Sequence, residues 1–334
     1  MTLTPRPRVG SLFSGVGGLD MAVHAAFNAE PAWFAEIDPA PSKVLAHRFP
    51  DVPNLGDVAA VDFSTVPPVD ILCGGFPCQD VSVAGRRAGI TEGSRSGLWS
   101  VFDQAIAALQ PKLVIIENVR GLLSAKASRN LDLVADEGDV DDAVILRAVG
   151  AVLGDLADLG FDAEWGVLPA SAVGAPHRRD RVFIVARPAD ADDAAGHGQR
   201  PRAESRQGGQ ESAPDTADDG LERGREARAG WAGPTDGDHD GIDWGKYADA
   251  VHRWEALTRP APAPTEPNRF GNPRLTAAFA EWMMGWPGGW VTDDELGLTR
   301  TQQLKIIGNG VVTAQAFEAV TQLTARLIDE GADQ

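Results

Sequence analysis

Two cysteines, Cys73 and Cys78, are all that the 334 residues contain, and they lie five positions apart. No second cysteine pair and no His-x-x-x-His partner accompanies them, so neither a disulfide framework nor a structural zinc site organises the chain, and no metal is expected. Runs of about 18 apolar residues are also missing, and the opening MTLTPRPRVGSLFSG has no apolar signal-peptide core. A soluble, cytoplasmic protein without a membrane partner is therefore expected. Basic charge is scarce: 30 Lys and Arg face 48 Asp and Glu, for a net charge of −18. At face value this argues against nucleic acid, whose binding draws on Lys and Arg. The distribution matters more than the sum. Much of the acid falls in 188–243, while Arg86, Arg87, Arg95 and the run His177-Arg178-Arg179-Asp180-Arg181 are basic clusters elsewhere.

The length suits one main domain with a smaller module. From Val9 to about Arg187 short apolar segments alternate with helical ones: VGSLF, GLDMAVHAAF, PAWFAEI, KVLAHRF, VDILCGG, GLWSVFDQAIAAL, KLVIIENV, ILRAVGAVLGDLADLG, DRVFIVA. Strands separated by helices of 10–15 residues predict an open α/β fold, a parallel sheet with helices on both faces. Ligands of such sheets sit beyond the carboxyl ends of the strands, so the residues following each strand carry the interest.

Around Pro188 the composition shifts to Ala, Gly, Asp, Glu, Gln and Ser with almost no large aliphatics, which predicts a flexible insert unable to offset its chain entropy. IDWGKYADAVHRWEALTRP then predicts one amphipathic helix bearing Trp244, Tyr247, Val251, Trp254 and Leu257. PAPAPTEP reads as a stiff linker and LTAAFAEWMMGWP as a helix stopped by Pro287. LKIIGNGVVTAQAFEAVTQLTARLI reads as a strand, a glycine turn and a long terminal helix.

The first turn, SLFSGVGGLD, holds Gly15, Gly17 and Gly18, but the dinucleotide fingerprint's last glycine is replaced by Asp20. A pyrophosphate at the helix start would meet that carboxylate, so a nucleoside without one is favoured. Glu36 follows the second strand, where a carboxylate can accept both ribose hydroxyls, and Asp57 in LGDV ends the next expected strand, in reach of an adenine amino group. Taken singly, these are equally well solvated loop acids. GGFPCQDVSVAG sets Cys78 in a glycine-flanked loop at a strand end, where a thiol can be exposed and its pKa lowered. Alone, Cys78 reads as readily as an ordinary loop thiol, while Cys73, within the strand, reads as a buried inert one. Glu117 and Asn118 end KLVIIENV, where partial desolvation would raise the acid's pKa and make it a proton donor. The alternative is a helix-capping residue.

With these motifs in place the chain resembles the DNA cytosine-5 methyltransferases. SLFSGVGGLD resembles the family's cofactor loop, GGFPCQ its catalytic loop, ENV its catalytic acid strand and APHRRDRVFIV its Gln-x-Arg-x-Arg element. RLTAAFAEWMMGWPGGW resembles the helix supporting the recognition domain and IGNGVV the last cofactor segment, all in the family's order. The resemblance implies a Rossmann-like S-adenosylmethionine-dependent methyltransferase fold with a small, poorly ordered target-recognition region. It implies that Phe13, Gly15, Gly17, Gly18, Glu36, Ile37, Asp57, Pro77, Leu98 and Asn309 surround S-adenosyl-L-methionine, whose product is S-adenosyl-L-homocysteine. The terminal helix is expected beside the first strand. Catalysis falls to Cys78 and Glu117, with Arg179 and Arg181 orienting base and backbone. Gln79, Ser82, Arg86, Arg87, Arg95 and Arg178 are the implied DNA contacts. His177 replaces the family's usual Gln, and Thr313 stands where Pro is common.

The expected domains are 1–187, catalytic and cofactor-binding; 188–272, the insert and target-recognition region; and 273–334, completing the catalytic domain. The loop 80–95 has the composition of a lid. Arg253, Arg259 and Arg269 are candidates for sequence recognition, with Trp244 and Trp254 reading equally as core. The implied partner is double-stranded DNA, bound by a monomer, with a cognate restriction endonuclease as a further candidate that the sequence itself does not reveal. An RNA cytosine methyltransferase of the same superfamily and a catalytically silent nucleic-acid-binding homologue are the rivals, and Asp20 speaks against a nicotinamide oxidoreductase.

Overall fold

The computed structural model describes residues 6–76, 97–120, 141–189, 242 and 244–332; the side chains of 141–148 and 329–332 lie outside that description. A six-stranded sheet forms its frame. Its strands are β1 (Arg8–Leu12), β2 (Glu30–Ala35), β3 (Ile71–Gly74), β4 (Leu113–Val119), β5 (Phe161–Leu168) and β6 (Arg181–Pro188). The spatial order is β2-β1-β3-β4-β6-β5. Strands β2, β1, β3 and β4 run parallel, β6 runs antiparallel to β4, and β5 antiparallel to β6. The sheet is therefore mostly parallel, and the order reverses between β1 and β3, where open α/β sheets take their ligands.

The central strands are apolar on both faces, as covered parallel strands must be. Val114 and Ile116 of β4 join Trp99, Phe102 and Ile106 of α3 (Leu98–Leu109) and Val152 and Leu156 of α4 (Asp141–Asp158). Ile115 points the other way, to Leu19 and Val23 of α1 (Gly18–Phe27) and to the long C-terminal helix. A second cluster gathers Val44 of α2 (Pro39–Arg48), Val251 and Trp254 of α5 (Ala248–Leu257), Trp282 of α6 (Ala277–Met283), and Ile306 and Ile307 of α7 (Arg300–Asn309). The terminal helix α8 (Thr313–Ala332) lies against α1 and crosses β6 and β5, in the same cluster as Val9 of the first strand.

Several expectations are corrected. Strand β5, FDAEWGVL, was not anticipated: as an edge strand it is half exposed and carries Asp162, Glu164 and Gly166, which dilute the apolar signal. LKIIGN is helix α7 and not a strand. Thr299 and Gln302 form a reciprocal capping box that starts the helix, and its Ile306 and Ile307 are buried in the second cluster. No strand precedes Asp57, only a single bridge between Asn54 and Phe34; Asp57 caps a short 3-10 turn, Val58–Ala60, by accepting from the Ala59 N–H. The end of PAPAPTEP is not a linker: Thr265–Pro267 (β7) pairs with Pro273–Leu275 (β8) in a hairpin. The aromatic helix of α5 is present with Val251 and Trp254 buried, but Tyr247 is exposed. The insert expected to be flexible lies, but for its first two residues, Ile242 and the stretch from Trp244 on, outside the described residues, as does the loop 80–95.

Candidate active site

The turn after β1 needs unusual backbone. Phe13, Gly15 and Gly17 all have positive φ, of 53°, 55° and 81°, a region that costs little for glycine alone. Ser14 stabilises the turn: its hydroxyl donates to the Ser11 carbonyl and accepts from the Ala35 N–H, and its carbonyl accepts from the Gly17 N–H. A side chain on Gly18 would lie 2.9 Å from the Val311 carbonyl oxygen, so that glycine lets the IGNGVV segment approach the first turn. The Thr313 hydroxyl donates to the Gly18 carbonyl at 3.3 Å, a bond that proline at that position would lack.

Glu36, just past β2, is fixed by backbone. Its two carboxylate oxygens accept from the Gly15 N–H at 2.8 Å and the Asp38 N–H at 2.7 Å, and its own N–H donates to Asn54. Burial raises its pKa against the pull of those donors. Two N–H contacts leave half of a carboxylate's lone-pair positions for hydroxyls. Ile37 beside it is 66% exposed, an apolar surface ready to take a flat ring. Open space faces Gly15. A ribose diol and an adjoining base fit this donor and acceptor set. Asp20 lies at the wall of the same cleft but presents no exposed charge at the helix start. Its carboxyl is wholly buried beside Ser11 and the Cys73 thiol, which donates to it at 3.8 Å, and burial pushes its pKa up to about 6. Asp20 is thus a buried acid hydrogen-bonded inside the fold rather than a solvated carboxylate at the helix start, and Cys73 is the buried thiol expected.

One cleft brings Phe13, Gly15 and Gly18 together with Gly74, Gly75, Glu117 and Asn309. Glu117 lies near the carboxyl end of β4, paired across the ladder with Phe183. Its carboxylate is 2.8 Å from the Arg181 guanidinium, on the neighbouring antiparallel strand. Burial dominates even so and lifts its pKa to about 7, against the charges of Arg181 and Arg179. A Cβ on Gly75 would stand 2.9 Å from the same carboxylate, so that glycine makes room for the acid. Asn118 donates to the Phe76 carbonyl at 2.9 Å and fixes the backbone two residues before Cys78 in sequence.

Arg179 sits at φ 34° and gives its guanidinium to the carbonyls of Gly308 and Gly310, tying the segment before β6 to the end of α7 and the turn after it; burial lowers its pKa to about 10. It holds protein backbone in place rather than standing open in the cleft. Gln315 donates to the carbonyls of Arg179 and Leu168, bracing the same corner. His177, in the place of the family's Gln, donates from Nε2 to the Met283 carbonyl at 3.0 Å, which fixes its tautomer. Arg178 is exposed near Asp180. Leu98 opens α3, half-buried against the aromatic core.

Pro77, Cys78, Gln79, Ser82, Arg86, Arg87 and Arg95 lie outside the described residues. Asp57 is not among the residues lining the cleft. Of the two tryptophans weighed for recognition, Trp254 is core, its Nε1 donating to the Trp282 carbonyl, and Trp244 stacks on Phe279. Arg259 lies 3.6 Å from Glu281. Gly75, Asn54, Gln315 and Glu281 were not singled out from sequence; the one available signal was an acid, Glu281, inside the aromatic run FAEWMMGWP.

A family model described as C-5 cytosine-specific DNA methylase matches residues 8–223. Over 182 residues the chain is 31% identical to the type II methyltransferase M.NgoFVII of Neisseria gonorrhoeae, covering 54% of this chain and 43% of that one. Over 183 residues it is 31% identical to M2.BsuMI of Bacillus subtilis strain 168, covering 54% and 41%. The chain thus spans about two fifths of the length of these curated relatives. Among solved structures, the S. pombe Dnmt2 methyltransferase superposes with a TM-score of 0.54 at 16% identity, covering 96% of this chain and 99% of that one. A putative DNA modification methyltransferase encoded within an E. coli prophage gives 0.52 at 18%, with coverage of 96% and 99%. Those identities speak for the fold alone: a methyltransferase-type, mostly parallel sheet flanked by helices. With the family model spanning well over half its length, the chain belongs to the C-5 cytosine-specific DNA methylase family.

Proposed function

We propose that the protein methylates carbon 5 of cytosine in a specific sequence of duplex DNA. The observation that carries this reading is Glu117, a buried carboxyl held 2.8 Å from Arg181 with its pKa near 7, in the cleft that the glycine turn and Asn309 also line. S-adenosylmethionine, when bound, supplies an electrophilic methyl group on a sulfonium. Phe13, Gly15, Gly17, Gly18, Glu36, Ile37, Leu98 and Asn309 would hold it, with Asp57 and Pro77 carried by the family resemblance. The target base must leave the duplex, at a cost of about a few kcal/mol. Glu117, protonated near neutral pH, then donates to N3 of the flipped cytosine as the Cys78 thiolate bonds to carbon 6. The ring's double-bond electrons shift to carbon 5, which becomes nucleophilic and accepts the methyl group. A water or hydroxide removes the carbon 5 proton, the carbon 6–sulfur bond breaks, the thiolate leaves, and the N3 proton returns to Glu117.

Arg181 orients Glu117 for this transfer, and Arg179 holds the cleft's far wall. The reading brings with it a cytoplasmic monomer acting on DNA, and a restriction endonuclease of the same target sequence as counterpart. Among the described residues no helix is long and apolar enough to cross a membrane. The test is a trap: protein and cofactor are incubated with duplex DNA carrying 5-fluorocytosine, which cannot lose its carbon 5 substituent. A covalent adduct mapped to Cys78 is expected. Cofactor binding without any adduct on DNA of diverse sequence, or an adduct on tRNA alone, would overturn the DNA reading.

A further inference from the structure

The hairpin β7–β8 ends in a tip, Asn268-Arg269-Phe270-Gly271-Asn272, built to be stiff. The Asn268 side chain accepts from the N–H groups of Phe270 and Asn272, at 2.8 and 3.0 Å, and its backbone N–H and carbonyl bond to Asn272 and Gly271. Gly271, at φ 80°, supplies the left-handed residue the turn requires. The root is braced as well. Glu266 pairs with Arg274 at 2.9 Å and with Arg300 of α7 at 3.3 Å, Arg300 donates to the Leu275 carbonyl, and Thr276 donates to the Ala263 carbonyl.

On this rigid support Phe270 is 72% exposed, more than any other large apolar side chain among the described residues. The Arg269 guanidinium lies 4.6 Å over its ring. Beyond that contact, a stiff loop that holds a large ring in water buries little of it in the free protein. The ring is poised for burial against something else. Charge points to the occupant: Arg274 and Arg300 share one partner acid, Glu266, and Arg269 adds a third guanidinium at the tip, on a chain whose net charge is −18. An aromatic face with a guanidinium stacked on it suits a base and its phosphate.

We propose that this hairpin tip is a DNA contact in which Phe270 stacks on a base at a step it partly unstacks and Arg269 pairs with a neighbouring phosphate. The proposal rests on the duplex-DNA reading above and assigns part of its recognition surface. The test uses the full chain, unmethylated DNA fragments of mixed sequence, and methyl incorporation at varied DNA and salt concentrations. Phe270→Ala is expected to raise the KM for DNA about tenfold, the scale of losing one base–aromatic stack. Arg269→Ala should lower the slope of log affinity on log salt by about one. Neither variant should alter cofactor affinity measured by calorimetry, and Ile328→Ala, which trims another exposed side chain on α8, should change nothing. If wild type methylates DNA and Phe270→Ala does so with unchanged KM, the proposal is overturned while the DNA reading stands. If wild type binds cofactor but neither binds nor methylates DNA, the DNA reading fails and takes the proposal with it. A KM effect confined to tRNA would likewise overturn it.

Discussion

Two buried carboxylates organise two regions of this protein, and their surroundings differ. Glu117, 9% exposed on β4, has Arg181 as its close partner and a pKa lifted to about 7. Glu281, fully buried on α6, accepts from the N–H groups of Gly289, Val291 and Thr292 and from the Thr292 hydroxyl, with Arg259 at 3.6 Å. The loop it gathers reaches the glycine turn after β1, because Trp290 donates to the Val16 carbonyl and Trp286 to that of Val311. Arg48 closes the far side of the loop through the carbonyls of Gly289 and Trp290. The surroundings differ in donors: Glu117 has one close cationic partner, whereas Glu281 is held by three backbone N–H groups and a hydroxyl and serves as a structural clip.

The contrast breaks most visibly at Glu117 itself. Glu117→Gln keeps the shape and removes the acid, so the methylation rate should fall by about 10²–10⁴-fold with the fold intact by circular dichroism. Full activity in that variant would remove Glu117 from the chemistry. Glu281→Ala should do the opposite, costing about 3–5 kcal/mol in urea denaturation by stranding Arg259 and three backbone donors. A loss under about 1 kcal/mol would mean that Glu281 is no clip.

pH sharpens the same comparison. With Glu117 needed in its protonated form and its pKa near 7, the rate should drop about tenfold per unit of pH well above 7. Linkage to folding has the same sign. The raised pKa favours the protonated native state, so its contribution is complete below about 4.5 and lost as pH rises through about 7. His24 acts from the other side: burial lowers its pKa to about 4, and stability is lost as pH falls from 6.5 through that value. Thermal melting across pH 4–8 in wild type and His24→Gln measures both limbs.

Smaller effects probe the clip's connections. Trp290→Phe deletes the donor to Val16, worth about 0.5–1.5 kcal/mol, and should weaken cofactor binding about two- to tenfold in calorimetry. Thr299→Ala removes half of the capping box of α7 and should lower stability by about 1 kcal/mol without changing the rate.

Much of the first half was legible in sequence because its signals are local. The apolar runs of β1, β3 and β4, the glycines of the first turn and Glu36 one strand later follow from periodicity and turn chemistry alone. LKIIGN misled because a short apolar run cannot distinguish a strand from a helix, and the capping box at Thr299 was the local clue that outranked it. Strand β5 and the hairpin at Thr265–Leu275 were missed because edge and surface strands carry polar residues and prolines.

The sequence by itself determined the class of fold, the order of its motifs and the chemistry available at each strand end, since these depend on residue type and spacing. Only the tertiary structure decided that Arg181 meets Glu117 across an antiparallel ladder and that Asp20 turns inward. It alone decided that Arg179 directs its Nη2 to the carbonyls of Gly308 and Gly310, and that Glu281 gathers a loop against the glycine turn after β1. Those choices depend on which groups lose water together, and that is set by contacts between residues tens to hundreds of positions apart.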